Sequence, residues 1–290
     1  MTGNDTRRGI AIMVASSFIF AVQDGISRHL AAEYNVLMIV TIRYWFFAAF
    51  CIAITSRRAG GLRAAAFTSQ PLWQGLRGLI LVTEICILVG AFVYMGLVEA
   101  LATFFVYPLI VAALSGPVLG ERVGWRRWAA IGVGFCGILV MLQPGSGVFT
   151  PAALLPLLAA VMFSVYVLLN RYVARRDTAE TSFFWTGVVG AIFITPVGLL
   201  NWQPMIGSDW VWMALLCIMG ALGHFGLIKV YEAAEASAVQ PFSYFHLVFG
   251  ASVGVLVFGE DIRVAVVIGA VIVVSAGLFT LWRESRRRAV

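Results

Sequence analysis

Ten apolar runs divide the chain, and the short segments between them carry most of its charged residues. The runs cover approximately residues 9–27, 36–55, 72–94, 100–119, 125–142, 152–170, 181–200, 210–230, 237–258 and 262–282. Each is close to the length of about 20 residues that an α-helix needs to cross a hydrocarbon core about 30 Å thick. Backbone polar groups inside a membrane must be satisfied internally, which a helix achieves. The pattern therefore predicts an all-α integral membrane protein with ten transmembrane helices.

Basic residues concentrate on one side of this predicted bundle. When the ten spans are threaded alternately, sixteen of the twenty Lys and Arg residues fall in segments on the side of the N terminus. The opposite side holds only Arg28 and Arg263, while Arg43 and Arg77 lie inside spans. Because segments rich in Lys and Arg stay in the cytoplasm, we expect both termini to be cytoplasmic.

Composition excludes several classes of protein. Hydrophobic residues make up 61% of the chain and charged residues 12%, whereas soluble domains are about 25% charged. The net charge of +6 is dispersed over short loops, so no nucleic-acid partner is expected. The four cysteines lie in separate spans without a CxxC spacing, so we expect no metal site and no disulfide. Nothing in the sequence calls for a cofactor.

Motifs of catalysis and nucleotide binding are missing from the sequence. It contains no GxxxxGK[ST], no HExxH and no serine-centred elbow, so neither ATP-driven pumping nor zinc proteolysis has residues to perform it. Residues 132–137 fit GxGxxG, but they lie in an apolar span with no preceding strand. Close helix packing explains these glycines better. We therefore expect that the protein is not an enzyme.

The chain carries two echoes of its own sequence at nearly the same offset. Residues 20–22 and 28–31 resemble residues 163–165 and 171–174, and residues 119–122 resemble residues 258–261. The echoes predict two five-helix repeats, residues 1–145 and residues 146–290. Since five is an odd number, the two repeats must insert in opposite orientations. Inverted repeats are an architecture of secondary transporters, which bind substrate near the membrane midplane between the halves.

Short motifs at the ends of the spans resemble those of one transporter family. They are Arg43 in span 2, Pro108 in span 4, Gly120-Glu121 with Ile131-Gly132, and Gly259-Glu260 with Ile268-Gly269. On these residues the chain resembles the drug/metabolite transporter superfamily, in its ten-helix type built from two EamA domains, over nearly its whole length. One departure is Leu247, which stands where the second half would repeat Pro108, and Pro241 is expected to bend span 9 instead.

The resemblance implies a multi-pass protein of the bacterial inner membrane and a function in transport. We expect a secondary transporter that exports small amphipathic metabolites, most of all amino acids including aromatic ones, by alternating access between the two halves. The alternative is a transporter of drugs or cofactor-like metabolites, working by proton-coupled multidrug efflux or by metabolite uptake. The expected partners are the lipid bilayer and a small-molecule substrate, and two halves in one chain are compatible with a monomer.

Polar residues at membrane depth are the candidates for substrate binding, because an ionisable group there costs about 2.5 kcal/mol or more unless it is paired or faces water. Glu84, His224 and His246 each lie near the middle of a span. Tyrosine, tryptophan and amide side chains add apolar area with a polar tip. The predicted substrate-binding residues are Gln23, Glu84, Tyr94, Tyr107, Tyr166, Asn170, Trp185, His224, Tyr244 and His246. Two alternatives stay open: these groups are buried structural pairs, and Arg43 pairs with Asp24 or Glu99.

Overall fold

The ten predicted spans are helices in a computed structural model, which describes residues 6–57, 61–119, 124–143, 151–234 and 239–288. The α-helices are α1 Thr6–Glu33, α2 Val36–Ser56, α3 Gly61–Ala66, α4 Pro71–Met95, α5 Leu97–Phe104, α6 Tyr107–Leu119, α7 Trp125–Leu142, α8 Leu154–Val173, α9 Ala179–Leu200, α10 Asp209–Ala233, α11 Phe245–Phe258 and α12 Val264–Arg288. Within the described ranges, nine spans are long and apolar enough to cross a membrane, and the shorter apolar helix Trp128–Leu142 is the tenth. The motif Gly120-Glu121 lies outside the described residues.

The fourth and ninth spans depart from a continuous α-helix next to a proline. The fourth span consists of α5, which ends at Phe104, and α6, which begins at Tyr107. Pro108 lies in the first turn of α6, where a missing backbone N–H is tolerated. The ninth span begins with a 3₁₀ helix, Gln240–Tyr244, that has Pro241 in its first turn and leads into α11. Leu247 lies inside α11.

The helix packing repeats itself when the two halves of the chain are exchanged. Helix α1 packs on α10 and α11, as α8 packs on α4 and α6. Helix α4 packs on α9, as α10 packs on α2. The other main contacts join helices that occupy equivalent places: α2 with α9, α5 with α11, and α7 with α12. This relation is the one expected of two five-helix repeats interleaved around a common centre.

Glycines let the helices at these symmetric crossings approach closely. A Cβ atom on Gly137 of α7 would lie 2.9 Å from the carbonyl oxygen of Gly269 in α12, and one on Gly269 would lie 2.5 Å from the carbonyl oxygen of Gly137. Two of the three glycines of the GxGxxG match, Gly134 against Leu109 and Gly137 against Gly269, therefore serve helix packing, as predicted, whereas Gly132 has open space beside it. In the same way Gly250 and Gly254 of α11 contact Leu101 and Val98 of α5.

A polar cluster outside the membrane ties the loop before α4 to the loop between α8 and α9. The Asp177 carboxylate accepts hydrogen bonds from Thr68 Oγ1, from the Ser69 backbone N–H at 3.4 Å and from Gln74 Nε2 at 2.8 Å. Desolvation raises the pKa of Asp177, but these hydrogen bonds outweigh it, so that this pKa lies below its usual value. The cluster fixes the ends of α4 and α8, which carry several of the candidate residues.

Candidate substrate-binding site

A narrow cavity lies among α2, α4 and α10, so both halves of the chain build it. It is lined by Arg43, Tyr44, Phe47, Leu81, Ile85, Cys217, Gly220, Ala221 and His224. The room between these side chains is about that of a single water molecule. Of the predicted residues, His224 lies in the wall, between the rings of Phe20 and Phe47 at 5.5 and 5.2 Å. The cavity is thus polar on the Arg43 side and aromatic around His224.

Arg43 is the cation of this cavity. Across the described ranges, its guanidinium makes neither a hydrogen bond nor an ion pair. Gly220 on α10 leaves space beside it: a Cβ atom there would lie 3.2 Å from Gln23 Oε1 and 3.5 Å from Arg43 Nε. Gln23 and Arg43 therefore lie together against the bare face of α10. The predicted alternative that Arg43 pairs with Asp24 or Glu99 is wrong, because those two carboxylates bind other residues.

Three buried oxygen atoms near Arg43 have no hydrogen-bond partner in the described part of the chain. They are Gln23 Oε1, Tyr44 Oη and Glu84 Oε1. Glu84 is only 2% exposed, and it lies near enough to Arg43 to interact with it electrostatically. An unsatisfied buried polar group costs about 1–3 kcal/mol. Such a concentration of unpaired groups around one arginine is unusual for a packed interior and makes this region the candidate binding site.

Asp24 and His246 form a second polar contact between the halves. Asp24 Oδ2 on α1 lies 2.8 Å from His246 Nε2 on α11. The two side chains are mostly buried, with exposed fractions of 11% and 18%. The His246 ring also packs against Phe20 and Phe105, at 5.9 and 5.4 Å between ring centres. This predicted residue is therefore held in place by a carboxylate and two phenyl rings.

Aromatic rings continue from the two histidines around the interior. Phe105 packs against Tyr107 at 5.9 Å, Tyr107 against Phe163 at 4.9 Å, and Phe163 against Tyr166 at 5.8 Å. Of the predicted residues, Tyr107 and Tyr166 belong to this arc. Flat rings with polar tips can hold a planar, partly polar molecule by stacking and by hydrogen bonds.

Arg77 holds two of the other candidate residues. Its guanidinium donates to Asn170 Oδ1 and to the carbonyl oxygen of Ser182, and its carbon Cζ lies 5.6 Å from the centre of the Tyr166 ring. Arg77 is 2% exposed. Asn170 is therefore engaged in binding Arg77 between α4, α8 and α9.

Three predicted residues lie apart from the cavity. Tyr94 is 74% exposed at the end of α4, on the outer surface of the bundle. Trp185 Nε1 donates to the carbonyl oxygen of Ala66, 3.2 Å away, next to α3. Tyr244 is buried, but it packs on Phe105 and against Gly277 of α12. Conversely, sequence reasoning did not identify Tyr44, Phe47, Cys217 and Gly220, because apolar and small residues within a span carry no signal for a cavity.

Two ion pairs join the halves at the end of the bundle where α1 ends and α12 begins. Arg28 pairs with Glu260, and Arg263 Nε donates to Glu99 Oε1 at 2.6 Å. The Glu260 carboxylate also accepts hydrogen bonds from the backbone N–H groups of Leu97 and Val98, at 2.8 and 2.9 Å. Glu260, from the second half, thereby caps the N-terminus of α5 in the first.

A membrane bundle of two five-helix halves around a polar and aromatic cavity has the architecture of a secondary transporter. The model of the EamA-like transporter family matches residues 7–143 and 150–282. The chain therefore belongs to this family of membrane transporters, which is part of the drug/metabolite transporter superfamily.

Named relatives of similar length span nearly the whole chain. An S-adenosylmethionine uptake transporter of Rickettsia prowazekii is 27% identical over 96% of this chain and 94% of its own length. A riboflavin transporter of Vibrio cholerae is 28% identical over 97% of this chain and 95% of its own. A solved crystal structure superposes with a TM-score of 0.65 at 20% identity, covering 99% of this chain and 100% of the other, and supports the fold.

Proposed function

We propose that the protein is a secondary transporter that takes up a cofactor-like metabolite built of a planar ring system and a polar chain. The cavity that both halves build, with aromatic rings around His224 and polar groups around Arg43, carries this proposal. The relatives support it, since one is named for uptake of S-adenosylmethionine and another for transport of riboflavin. Both compounds combine a flat ring system with a polar chain.

This proposal takes up the alternative that the sequence left open. Export of amino acids was the first expectation, and the relatives favour transport of cofactor-like metabolites over it. The aromatic side chains that suggested a pocket for aromatic amino acids suit a purine or flavin ring equally well.

Transport requires the helices around the cavity to move. The space beside Arg43 admits about one water molecule, so a metabolite binds only after the halves separate on one side. In inverted-repeat transporters the halves rock around a fixed central site, exposing it to each side in turn. The ion pairs of Arg28 with Glu260 and of Arg263 with Glu99 join the halves at one end, and opening that end breaks them.

The test is uptake of labelled S-adenosylmethionine, riboflavin and phenylalanine into proteoliposomes. We expect saturable uptake of at least one of the two ring-bearing cofactors in excess of phenylalanine. Ala221→Phe fills the cavity wall and should lower this uptake at least tenfold. Leu222→Phe is the matched control, because Leu222 is the next residue of α10 and is 46% exposed on its outer face.

Two results would contradict the proposal. One is uptake of phenylalanine without uptake of either cofactor, which returns the function to amino-acid transport. The other is equal uptake by Ala221→Phe and the parent protein, which removes the cavity from the transport path. Membrane content of each variant is measured alongside, so that loss of folded protein is not mistaken for loss of transport.

A further inference from the structure

The interior holds two arginines at membrane depth, and only one of them has partners among the described residues. Arg77 is bound by Asn170, by the carbonyl oxygen of Ser182 and by the ring of Tyr166. Arg43 lines the cavity, and none of the described residues forms a hydrogen bond or ion pair with it. A guanidinium presents a planar fork of N–H donors that matches a carboxylate. The free fork of Arg43 therefore fits an anion brought by the substrate.

The unpaired oxygens around Arg43 fit a cation on the same substrate. Glu84 Oε1, Tyr44 Oη and Gln23 Oε1 are buried and without partners in the described part of the chain. Glu84 interacts electrostatically with Arg43 and with Tyr44, and Gln23 lies beside Arg43 against Gly220. An ammonium group has three N–H donors and no acceptor. Three oxygen acceptors next to one guanidinium are therefore the complement of a carboxylate and an ammonium held close together.

We infer that the substrate carries an α-amino-acid head group, with its carboxylate on Arg43 and its ammonium on Glu84, Tyr44 and Gln23. This inference rests on the proposed function and selects among its substrates. S-adenosylmethionine has this head group attached to an adenine nucleoside, whereas riboflavin has no charged head group. The aromatic side chains Phe47, His224 and Phe20, which pack on one another beside Arg43, then receive the ring system.

A structural ion pair between Arg43 and Glu84 is the competing explanation, and the geometry disfavours it. A formed pair would bring a guanidinium nitrogen within hydrogen-bond distance of a carboxylate oxygen, yet Glu84 Oε1 has no partner among the described residues. Arg43 on α2 faces a gap about as wide as a water molecule, and Leu81 and Ile85, which flank Glu84 along α4, line the α4 side of it. A head group with both charges bridges this gap.

Competition for uptake of labelled S-adenosylmethionine into proteoliposomes tests the inference. S-adenosylhomocysteine keeps the head group and the adenine ring, while 5′-methylthioadenosine keeps the ring and lacks the head group. In the parent protein, we expect S-adenosylhomocysteine to compete with labelled S-adenosylmethionine at least tenfold better than 5′-methylthioadenosine does. Arg43→Gln and Glu84→Gln should each lower uptake at least tenfold and bring the two competitors to within about twofold of each other.

Two further variants separate recognition from folding. Arg126→Gln removes a positive charge from the exposed start of α7 and should keep the parent's uptake and discrimination. Arg43→Lys keeps the positive charge and loses the planar fork of N–H donors. We expect this variant to fold, because the charge is kept, and to lose discrimination between the two competitors. A structural role of Arg43 would change the amount of folded protein and leave this discrimination intact.

The outcomes for the inference and for the proposed function differ. If riboflavin is transported and Arg43→Gln and Glu84→Gln leave its uptake unaltered, while S-adenosylmethionine is not transported, the head-group inference is wrong and the proposed function stands. If the two glutamine variants and Arg43→Lys discriminate between the competitors as the parent does, the inference is also wrong. Uptake of neither cofactor overturns both.

Discussion

Single residues inside the bundle differ in whether the protein already satisfies them. A charged side chain at the centre of a membrane helix costs about 2.5–3.5 kcal/mol, so each needs a partner or water. Arg77 has protein partners on two other helices, and Asp24 has His246. Neither Arg43 nor Glu84 forms a hydrogen bond or an ion pair with another described residue. The satisfied groups hold the helices together, and the unsatisfied ones are those that the proposal assigns to the substrate.

The contact between Asp24 and His246 predicts a loss of stability when either partner is removed. His246→Ala leaves the buried Asp24 carboxylate without its partner 2.8 Å away and removes the ring from between Phe20 and Phe105. An orphaned buried group costs about 1–3 kcal/mol, so the melting temperature in detergent should fall clearly below that of the parent. Ser252→Ala, at an exposed position on the same helix, serves as the control and should melt like the parent. Equal melting temperatures for His246→Ala and the parent would show that the contact does not hold α1 to α11.

Sequence reasoning found the ionisable residues and missed their surroundings. Glu84 and His224 stand out because an ionisable residue in an apolar run is rare. Tyr94 and Tyr166 are both predicted from their polar tips, but Tyr94 lies on the outer face of α4. The sequence does not separate the two, because aromatic residues occur at the lipid surface, at the membrane interface and in the core. Arg43 was weighed as a structural group, since the partners of a side chain depend on which faces of distant helices meet.

At the scale of helices, the break between α4 and α5 is built around one carboxylate from the other half. Gly96 has φ 84°, a left-handed conformation that favours glycine. A Cβ atom there would also lie 2.9 Å from Glu260 Oε1. With that space open, Glu260 reaches the backbone N–H groups of Leu97 and Val98 and pairs with Arg28. A carboxylate at a helix N-terminus interacts favourably with the helix dipole.

We expect Glu260→Gln to destabilise the protein by about 1.5–3 kcal/mol, because a hydrogen bond to a charged group contributes about that much. The amide loses the ion pair with Arg28 and offers one acceptor oxygen where the carboxylate offers two. Thermal unfolding in detergent measures the effect. Asp261→Asn is a matched control, because the Asp261 carboxylate, next to Glu260 in the chain, is exposed and its loss should change stability little. If Glu260→Gln has the same melting temperature as Asp261→Asn, the cap contributes nothing to stability.

The sequence predicted the helices well and their ends less well, for a physical reason. Hydropathy marks the part of a helix that lies in hydrocarbon, so the first run was placed at residues 9–27, while α1 continues to Glu33. The break in the fourth span lies next to Pro108, as its ring and missing N–H suggest. The sequence predicts from Gly259-Glu260 that the two halves are repeats. It does not predict that Glu260 caps α5, because this role depends on a contact between the halves.

Lys and Arg are distributed unequally between the two ends of the molecule. On the side opposite the N terminus, the only Lys or Arg residues are Arg28 and Arg263. The structure shows each of them bound to a carboxylate, Arg28 to Glu260 and Arg263 to Glu99. The side of the N terminus carries sixteen basic residues. Such a bias favours a cytoplasmic location for both termini.

This orientation predicts which loops an impermeant thiol reagent reaches in intact cells. Ser208, between α9 and α10, and Ala179, at the start of α9, are both exposed and lie at opposite ends of α9. The predicted cytoplasmic location of the basic side implies that Ser208→Cys should be labelled from outside, and Ala179→Cys only after the membrane is permeabilised. The parent protein sets the background, since Cys51 and Cys217 are buried and Cys86 and Cys136 lie within spans. Labelling of Ala179→Cys but not of Ser208→Cys in intact cells would reverse the orientation and place the paired arginines Arg28 and Arg263 at the cytoplasmic end.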